Sequence, residues 1–384
     1  MGVIGTMAAM TTPPAGAAIG QLDADGVDTV VGTFVNPAGL THAKTVPARR
    51  VNAFADPGLG FSPVTHGFAI DRAGIAFAPG GISVVGDQRI RIDLDELRVI
   101  GDGLAWAPAS FFDQDGNPPV PACARGTLGR IQARLADAGL EALVGHEIEF
   151  LLVDPEGNRL PGNLWAQYGL AGVLEYEGFV KDVTAAAAAS GVGIEQFHPE
   201  YGINQFEISL APKSPVAAAD QLILARIIIS RVARTYGLRV SLSPVPFAGS
   251  VGSGAHQHFF SLSRADTPVF SGGTGAQGGM TPEGGENAIG GIVSGLPQAQ
   301  LIFCGSIVSG LRMKPGNWAG AYACWGTENR EAAVRFVRGG HGNPYGGANV
   351  EVKVVDPSAN PYFATAAILG LAADASRTAP HCRR

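Results

Sequence analysis

The sequence predicts an α+β protein built from about two domains. Three observations carry that expectation: strand-like runs crowd the first 112 residues, helices and isolated strands alternate afterwards, and three of those strands each bear two ionisable side chains on one face. A chain of 384 residues exceeds one ordinary hydrophobic core. Its 27 basic and 33 acidic residues include no Lys/Arg run, so neither nucleic acid nor a membrane surface is an expected partner. Cys123, Cys304, Cys324 and Cys382 are scattered without a CxxC pair, which fits a reducing, cytoplasmic setting.

Residues 1–18 lack a basic start and contain Pro13-Pro14, so they are expected to form a disordered leader rather than a secretory signal. From Gly26 to Val46 the chain alternates around the turn Asn36-Pro37-Ala38-Gly39, which predicts a hairpin. Strands over Gly81–Gly86, Arg89–Leu94 and Leu97–Ile100 complete a β-rich domain at 19–112, closed by the turn-rich stretch Phe112–Pro121.

The second domain, 113–384, opens with a helix over Thr127–Ala138 and a strand over Ala142–Val153. A helix over Val180–Ser190 and a strand and loop over Ile194–Leu210 follow. Ser214-Pro215 supplies an N-cap and first-turn proline for a long helix through Tyr236, stopped by Gly237. Its apolar run Leu222–Ile229 is interrupted by Arg226 and falls well short of the roughly 20 residues of a bilayer span. Ser271–Gly285 is expected to be a surface insertion. A helical pair over Glu286–Val308 comes next, and Asn360-Pro361 starts a last helix through Ala375, after which the final ten residues should fray.

The chemistry lies in three short segments: His146-Glu147-Ile148-Glu149-Phe150, Ala255-His256-Gln257-His258-Phe259 and Val350-Glu351-Val352-Lys353-Val354. Side chains at i and i+2 of a strand share a face, so each segment has a charged side and an apolar side. If the strands are neighbours, their carboxylates and imidazoles converge on one cleft, where cations would make them compatible. A fourth element, Glu200-Tyr201-Gly202-Ile203-Asn204-Gln205-Phe206-Glu207, adds two carboxylates; His198 beside it receives no role.

Taken in order, these segments resemble the glutamine synthetase superfamily, with GxExEF at Gly145–Phe150, the two-glutamate loop, GSGxHxH at Gly252–His258, ENR and a following Arg at Glu328–Arg335, and NPY at Asn360–Tyr362. The resemblance runs from about Val27 to Leu371. It implies a β-grasp-like N-terminal domain and a catalytic domain whose curved antiparallel sheet is flanked by helices. The implied reaction uses ATP to phosphorylate the side-chain carboxylate of glutamate, and an amine then displaces phosphate. By motif position Glu149, Glu200 and Glu207 match ligands of one divalent cation, and Glu147, His256 and Glu351 ligands of a second. Oxygen-rich sites of this kind suit Mg²⁺ or Mn²⁺. His258 and Arg335 match nucleotide-binding positions, Arg312 and Arg330 positions that meet glutamate or its developing phosphate, and Gly252 and Lys353 positions that meet its amine and α-carboxylate. Lys353 and Asn349 both stand where the family commonly has arginine.

The departures concern the nitrogen donor. Glutamine synthetases hold ammonium with an Asp in a DGSS-like loop and a Glu on a flap. Here Phe61-Ser62-Pro63-Val64 and Pro315-Gly316-Asn317-Trp318-Ala319 stand in those places, putting Ser62 and Trp318 where the acids would be. An indole favours an alkylammonium or methylenes, which points to the glutamate–polyamine or glutamate–amine branch. Two alternatives stay open: glutamine synthesis from ammonia, and a catalytically idle, ring-forming or regulatory relative. The resemblance also implies homo-oligomeric stacked rings with active sites between subunits. Family chains continue for several helices beyond the region matching Leu371, so the catalytic domain is expected to be shortened at its C-terminus.

Overall fold

The structure, a computed structural model, describes residues 15–71, 85–116, 119–162, 164–264, 267–270, 280, 282–339 and 348–378. Most of the expected leader, most of the strand expected at Gly81–Gly86, two thirds of the Ser271–Gly285 insertion and the last six residues lie outside these.

The first sheet is built from β1 (Thr29–Val35), β2 (Thr41–Pro47), β3 (Leu59–Phe61), β4 (Gln88–Ile92), β5 (Arg98–Gly101) and β6 (Leu104–Phe112), with helices α1 (Ala15–Ala24) and α2 (Val51–Ala55) beside it. Its order is β2-β1-β6-β4-β3, with β5 also paired to β6. Helix α1 begins four residues inside the stretch expected to be leader. β1 and β2 form the expected hairpin, in register from Thr29 opposite Pro47 to Val35 opposite Thr41. The Asn36 side chain closes its turn by accepting the Leu40 N–H at 3.0 Å. The central strand β6, parallel to β1, was not foreseen. Gly32 in β1 has a packing reason, since a Cβ there would collide with the Phe54 ring of α2 and with Ile92.

The second sheet contains β7 (Leu140–Val153), β8 (Ile194–Pro199), β9 (Gln205–Leu210), β10 (Arg239–Ser241), β11 (Gln257–Arg264), β12 (Thr267–Pro268), β13 (Tyr322–Thr327), β14 (Ala332–Val337) and β15 (Asn349–Val352). Its path is β13-β14-β15-β11-β7-β9-β8, so the three strands bearing paired ionisable groups, β7, β11 and β15, are adjacent. All pairs are antiparallel except β13 with β14. The helices are α3 (Ala124–Asp137), α4 (Leu170–Glu175), α5 (Glu177–Ala189), α6 (Pro215–Thr235), α7 (Asn287–Phe303), α8 (Ser309–Arg312) and α9 (Pro361–Thr378). Ile148, Phe150 and Leu152 of β7 and Phe206 and Ile208 of β9 are fully buried in a core shared with α5 and α6. Phe150 packs its ring 6.1 Å from Phe206 and 6.4 Å from Phe179. The alternate residues of β7 therefore face away from that core.

Three helix expectations need correction. Ser214 stands at the N-cap of α6, but its side chain makes no cap bond; Pro215 in the first turn does the pre-organising. The pair expected over Glu286–Val308 is one helix, α7, which accommodates Pro297 internally. The last helix continues to Thr378, past the residue where fraying was expected. Among the described residues no helix is long and apolar enough to cross a membrane.

The NPY segment joins the two sheets. Asn360 caps α9 by accepting the N–H groups of Tyr362 and Phe363 at 3.0 and 3.2 Å, and donates to Asn36 O at 2.9 Å on the hairpin turn. Tyr362 donates its hydroxyl proton to Asp220 at 2.7 Å. Arg125 binds the same carboxylate through Nε and Nη2, and through Nη2 also Asp93, just after β4 of the first sheet, at 2.8 Å.

Candidate active site

The uncovered face of the second sheet lines a cavity of about 240 Å³. The metal-type residues proposed from sequence (Glu147, Glu149, Glu200, Glu207, His256 and Glu351) all border it. So do Gly252, His258, Arg312, Trp318, Arg330, Arg335 and Lys353. Strand register explains the convergence: Glu149 lies opposite Glu207 across β7 and β9, His258 opposite Glu351 across β11 and β15, and Arg335 opposite Glu351 across β14 and β15. His256 sits just before β11, where its carbonyl accepts the Glu147 N–H at 3.0 Å.

Two sub-clusters differ in electrostatics. In the first, His256 Nδ1 lies 3.3 Å from both Glu147 and Glu351, and His258 Nε2 lies 3.4 Å from Glu147. Burial opposes ionisation of Glu147, but His258 and then His256 hold it well below the ordinary carboxylate range. Glu351 is likewise pulled against burial to about 2, chiefly by Lys353, whose Nζ is 3.0 Å away, and then by His258 and His256. Arg335 takes the other Glu351 oxygen at 3.1 Å. Burial lowers His256 to about 4, helped by Lys353, whereas Glu147 overcomes burial and raises His258 to about 9. Asn349, which stands where the family commonly has arginine, accepts from His258 Nδ1 at 2.9 Å and so orients the ring.

The second sub-cluster is acidic with few counter-charges. Burial raises Glu149, although Arg312 and the Gly254 N–H at 2.7 Å oppose the shift. Burial and the Glu149 charge raise Glu200. Glu207 is raised well above the ordinary range by burial and by Glu147, Glu149 and Glu200. Carboxylates facing each other at this depth hold protons or take up a cation.

Ligand-atom geometry brings together Glu147, Glu207 and His256; Glu147, His258 and Glu351; and His198, Glu200 and Glu207, the atoms of each trio lying within 4.8 Å of one another. His198, given no role from sequence, thus belongs to the acid cluster: its Nδ1 lies 3.5 Å from Glu200 and its Nε2 3.5 Å from Glu207. The i+2 relation of His198 to Glu200 across β8 was the available signal. His198 Nδ1 is buried without a hydrogen-bond partner. An orphaned imidazole nitrogen among oxygen ligands, with no thiolate, fits a hard divalent cation.

Arg312 ends α8 buried, donating to the carbonyls of Lys353 and Val354 at 2.9 and 3.3 Å, with Nη2 3.4 Å from His256 Nε2. Arg330 is exposed at the rim. Gly252 has its carbonyl bound by Gln205 Nε2 at 2.9 Å, and its backbone runs so close to Arg312 that a Cβ would come within 2.7 Å of that side chain. Trp318, 46% exposed, meets Tyr201, 45% exposed, edge to face at 5.2 Å. Tyr201 escaped sequence reasoning because nothing in its loop marked it beside Glu200.

An acid-walled cleft on a curved antiparallel sheet, with cationic side chains along one side, is the frame the sequence resemblance implied. The chain belongs to the glutamine synthetase family: residues 121–375 match the glutamine synthetase catalytic domain. It is similar to the gamma-glutamylpolyamine synthetase GlnA3 of Streptomyces coelicolor, with 40% identity over 361 residues covering 92% of this chain and 76% of that one. It is also similar to the glutamine synthetase of Pyrococcus abyssi, at 29% identity over 88% of this chain and 72% of that protein. A solved glutamine synthase homologue superposes with a TM-score of 0.84 at 29% identity, covering 93% of this chain and 84% of its own.

Proposed function

We propose that this chain is an ATP-dependent ligase that joins the side-chain carboxylate of glutamate to an organic amine, a polyamine or small alkylamine, through a γ-glutamyl phosphate. One observation carries the reading: the acidic sheet face shares its cavity with Arg312 and an indole, Trp318, which by motif position stands where glutamine synthetases carry an ammonium-binding acid. Similarity to a gamma-glutamylpolyamine synthetase supports the choice of amine.

The residues divide the work by depth. Glu147, Glu149, Glu200, Glu207, His256 and Glu351, with His198 as an added candidate, would hold Mg²⁺ or Mn²⁺. When bound, such ions supply charge neutralisation for the transferring phosphoryl group. Arg335 and His258 stand beside Glu351 to meet ATP phosphates. Arg312, held by two backbone carbonyls, presents its guanidinium towards glutamate. A γ-carboxylate oxygen attacks the terminal phosphorus and ADP departs; the amine nitrogen then attacks the acyl carbon, loses a proton, and phosphate departs. Arg330 at the rim and Arg312 within can both offset the negative charge of the acyl phosphate. Lys353 would meet the substrate α-carboxylate, and because its ammonium is engaged with Glu351, glutamate must compete for it. The Gly252 backbone would meet the substrate amine.

Among the described residues Ser62 does not line this chain's cavity. In the proposed rings the N-terminal domain of one subunit completes the cleft of its neighbour.

The test is glutamate-dependent phosphate release from MgATP or MnATP with ammonia, putrescine, spermidine and ethanolamine in turn, on protein of known oligomeric size. Turnover with amines and little with ammonia is expected. Preference for ammonia would instead assign glutamine synthesis, and an intact assembly with no turnover would assign a non-catalytic role.

A further inference from the structure

We propose, building on the ligase reading, that acceptor choice is set by an aromatic pair, Tyr201 and Trp318, which Glu331 holds in place from outside the cavity. The acceptor class it selects is an aliphatic amine carrying a second ammonium group.

The two rings come from opposite walls. Tyr201 leaves the β8–β9 loop beside Glu200, while Trp318 sits on the loop after α8, and they meet at 5.2 Å with planes 69° apart. Both line the cavity and both keep nearly half their surface open, so they stand at its mouth while the carboxylates lie buried within. A monoamine would offer the rings only its methylenes and methyl group. A diamine reaching from one zone to the other would place its far ammonium against two aromatic π systems, an arrangement that favours a cation over a methyl group.

Trp318 is held under constraint. Its φ of +53° lies in the left-handed region, which a bulky L residue rarely adopts. Glu331 supports that conformation by accepting the Trp318 N–H at 2.9 Å and the Gly316 N–H at 3.2 Å, one on each carboxylate oxygen. The Glu331 backbone is itself fixed, its N–H donating to Asn329 at 3.0 Å. At the other end of the loop Gly320, φ +76°, passes so close to strand residues that a Cβ would come within about 3 Å of Lys353 and Ala333. Arg330 lines the cavity and the adjacent Glu331 does not, so one turn supplies a candidate substrate contact and the latch for the ring opposite. Glu331 is therefore a positioning residue.

The experiment compares putrescine with n-butylamine, which share four carbons and differ by one ammonium, at saturating MgATP and glutamate. The unaltered enzyme should prefer putrescine by about tenfold or more in kcat/KM, and Trp318→Leu and Tyr201→Leu should each remove most of that preference. Glu331→Ala should raise the putrescine KM about five- to tenfold with the KM for ATP unchanged, and Glu331→Gln, which keeps an oxygen for the Trp318 N–H, should recover most of the loss. If Glu331→Ala does not fold, Glu331→Asp, with a shorter reach, carries the same expectation. Equal use of both amines by the unaltered enzyme would overturn this inference and leave the ligase reading standing. So would ring variants that keep the preference, or a Glu331 variant that moves every KM alike. Absence of turnover with any amine would sink the ligase reading itself.

Discussion

Two clusters of buried charge in this molecule are built to opposite rules. Around Asp220 the polar groups are partnered: Arg125 grips the carboxylate through Nε and Nη2, Tyr362 donates a hydroxyl proton at 2.7 Å, Asp93 shares Arg125 Nη2, and Nη1 donates to Ser110. Around Glu207 the neighbours are mostly other carboxylates, Glu147, Glu149 and Glu200, with His198 Nε2 3.5 Å away, and burial and the carboxylate charges raise the group well above the usual range. The first cluster joins three helices to the first sheet; the second leaves a charge deficit that a cation can fill. A buried acid with its counter-charge built in is an architectural element, whereas one without it marks a place for something the chain does not itself provide.

The largest expected effect comes from breaking the satisfied cluster. Asp220→Ala strands the buried Arg125 guanidinium and should destabilise the fold by about 3–5 kcal/mol, measured by urea denaturation. Mn²⁺ affinity of the surviving folded fraction, read by calorimetry, should be unchanged. A loss of metal affinity matching the loss of stability would show that the two clusters are not independent.

Glu207→Gln should separate stability from activity in the other cluster. A Gln side chain stays neutral at this depth without taking up a proton, so the variant in EDTA should gain about 1 kcal/mol, while ligase activity falls by about 100-fold or more through lost cation binding. A variant that lost both would place Glu207 with the architectural acids.

How much of this was visible beforehand follows the same division. The acidic strands announced themselves because period-two alternation is a local signal, and Glu147, Glu149, His256, Glu351 and Lys353 could be assigned to one face before any fold was known. The pairing of Arg125 with Asp220 spans 95 residues and leaves no local trace. Strand β6 was hidden because Leu104–Phe112 alternates weakly and contains Pro108, which argues against a central strand when only sequence is available. At the site, strand residues were legible and loop residues were not: Trp318 was noticed only against a family pattern, and Tyr201 and Glu331 acquired meaning once the loops were folded together.

A pH series sharpens the contrast at moderate magnitude. Glu149, Glu200 and Glu207 have folded-state pKa values raised above the unfolded carboxylate, so the apo protein keeps their protons where the unfolded chain has lost them. Their contribution is full below about pH 4.5 and is lost as pH rises through the folded values. His258, raised to about 9, acts in the same sense, its contribution present below about 6.5 and lost as pH rises through 9. Glu351, held near 2, acts oppositely, its contribution being present above about pH 4.5 and lost as pH falls through 2. The melting temperature in EDTA should therefore decline on the alkaline side, and saturating Mn²⁺ should flatten that decline by replacing protons with the ion. An identical profile with and without Mn²⁺ would remove the cation from the account.

The smallest effect tests how the satisfied cluster shares its burden. Tyr362→Phe removes one donor to Asp220 and leaves both Arg125 contacts, so the cost should be that of a single neutral donor to a charged acceptor, about 1.5–3 kcal/mol, below the Asp220→Ala loss. Because Asn360 rather than Tyr362 carries the contact to Asn36, the hairpin turn should keep its amide protection in hydrogen exchange. Loss of protection at Leu40 in Tyr362→Phe would mean that the Asp220 cluster and the Asn360 cap are one cooperative unit, with the contact to the hairpin turn depending on charge satisfaction among the helices beside the second sheet.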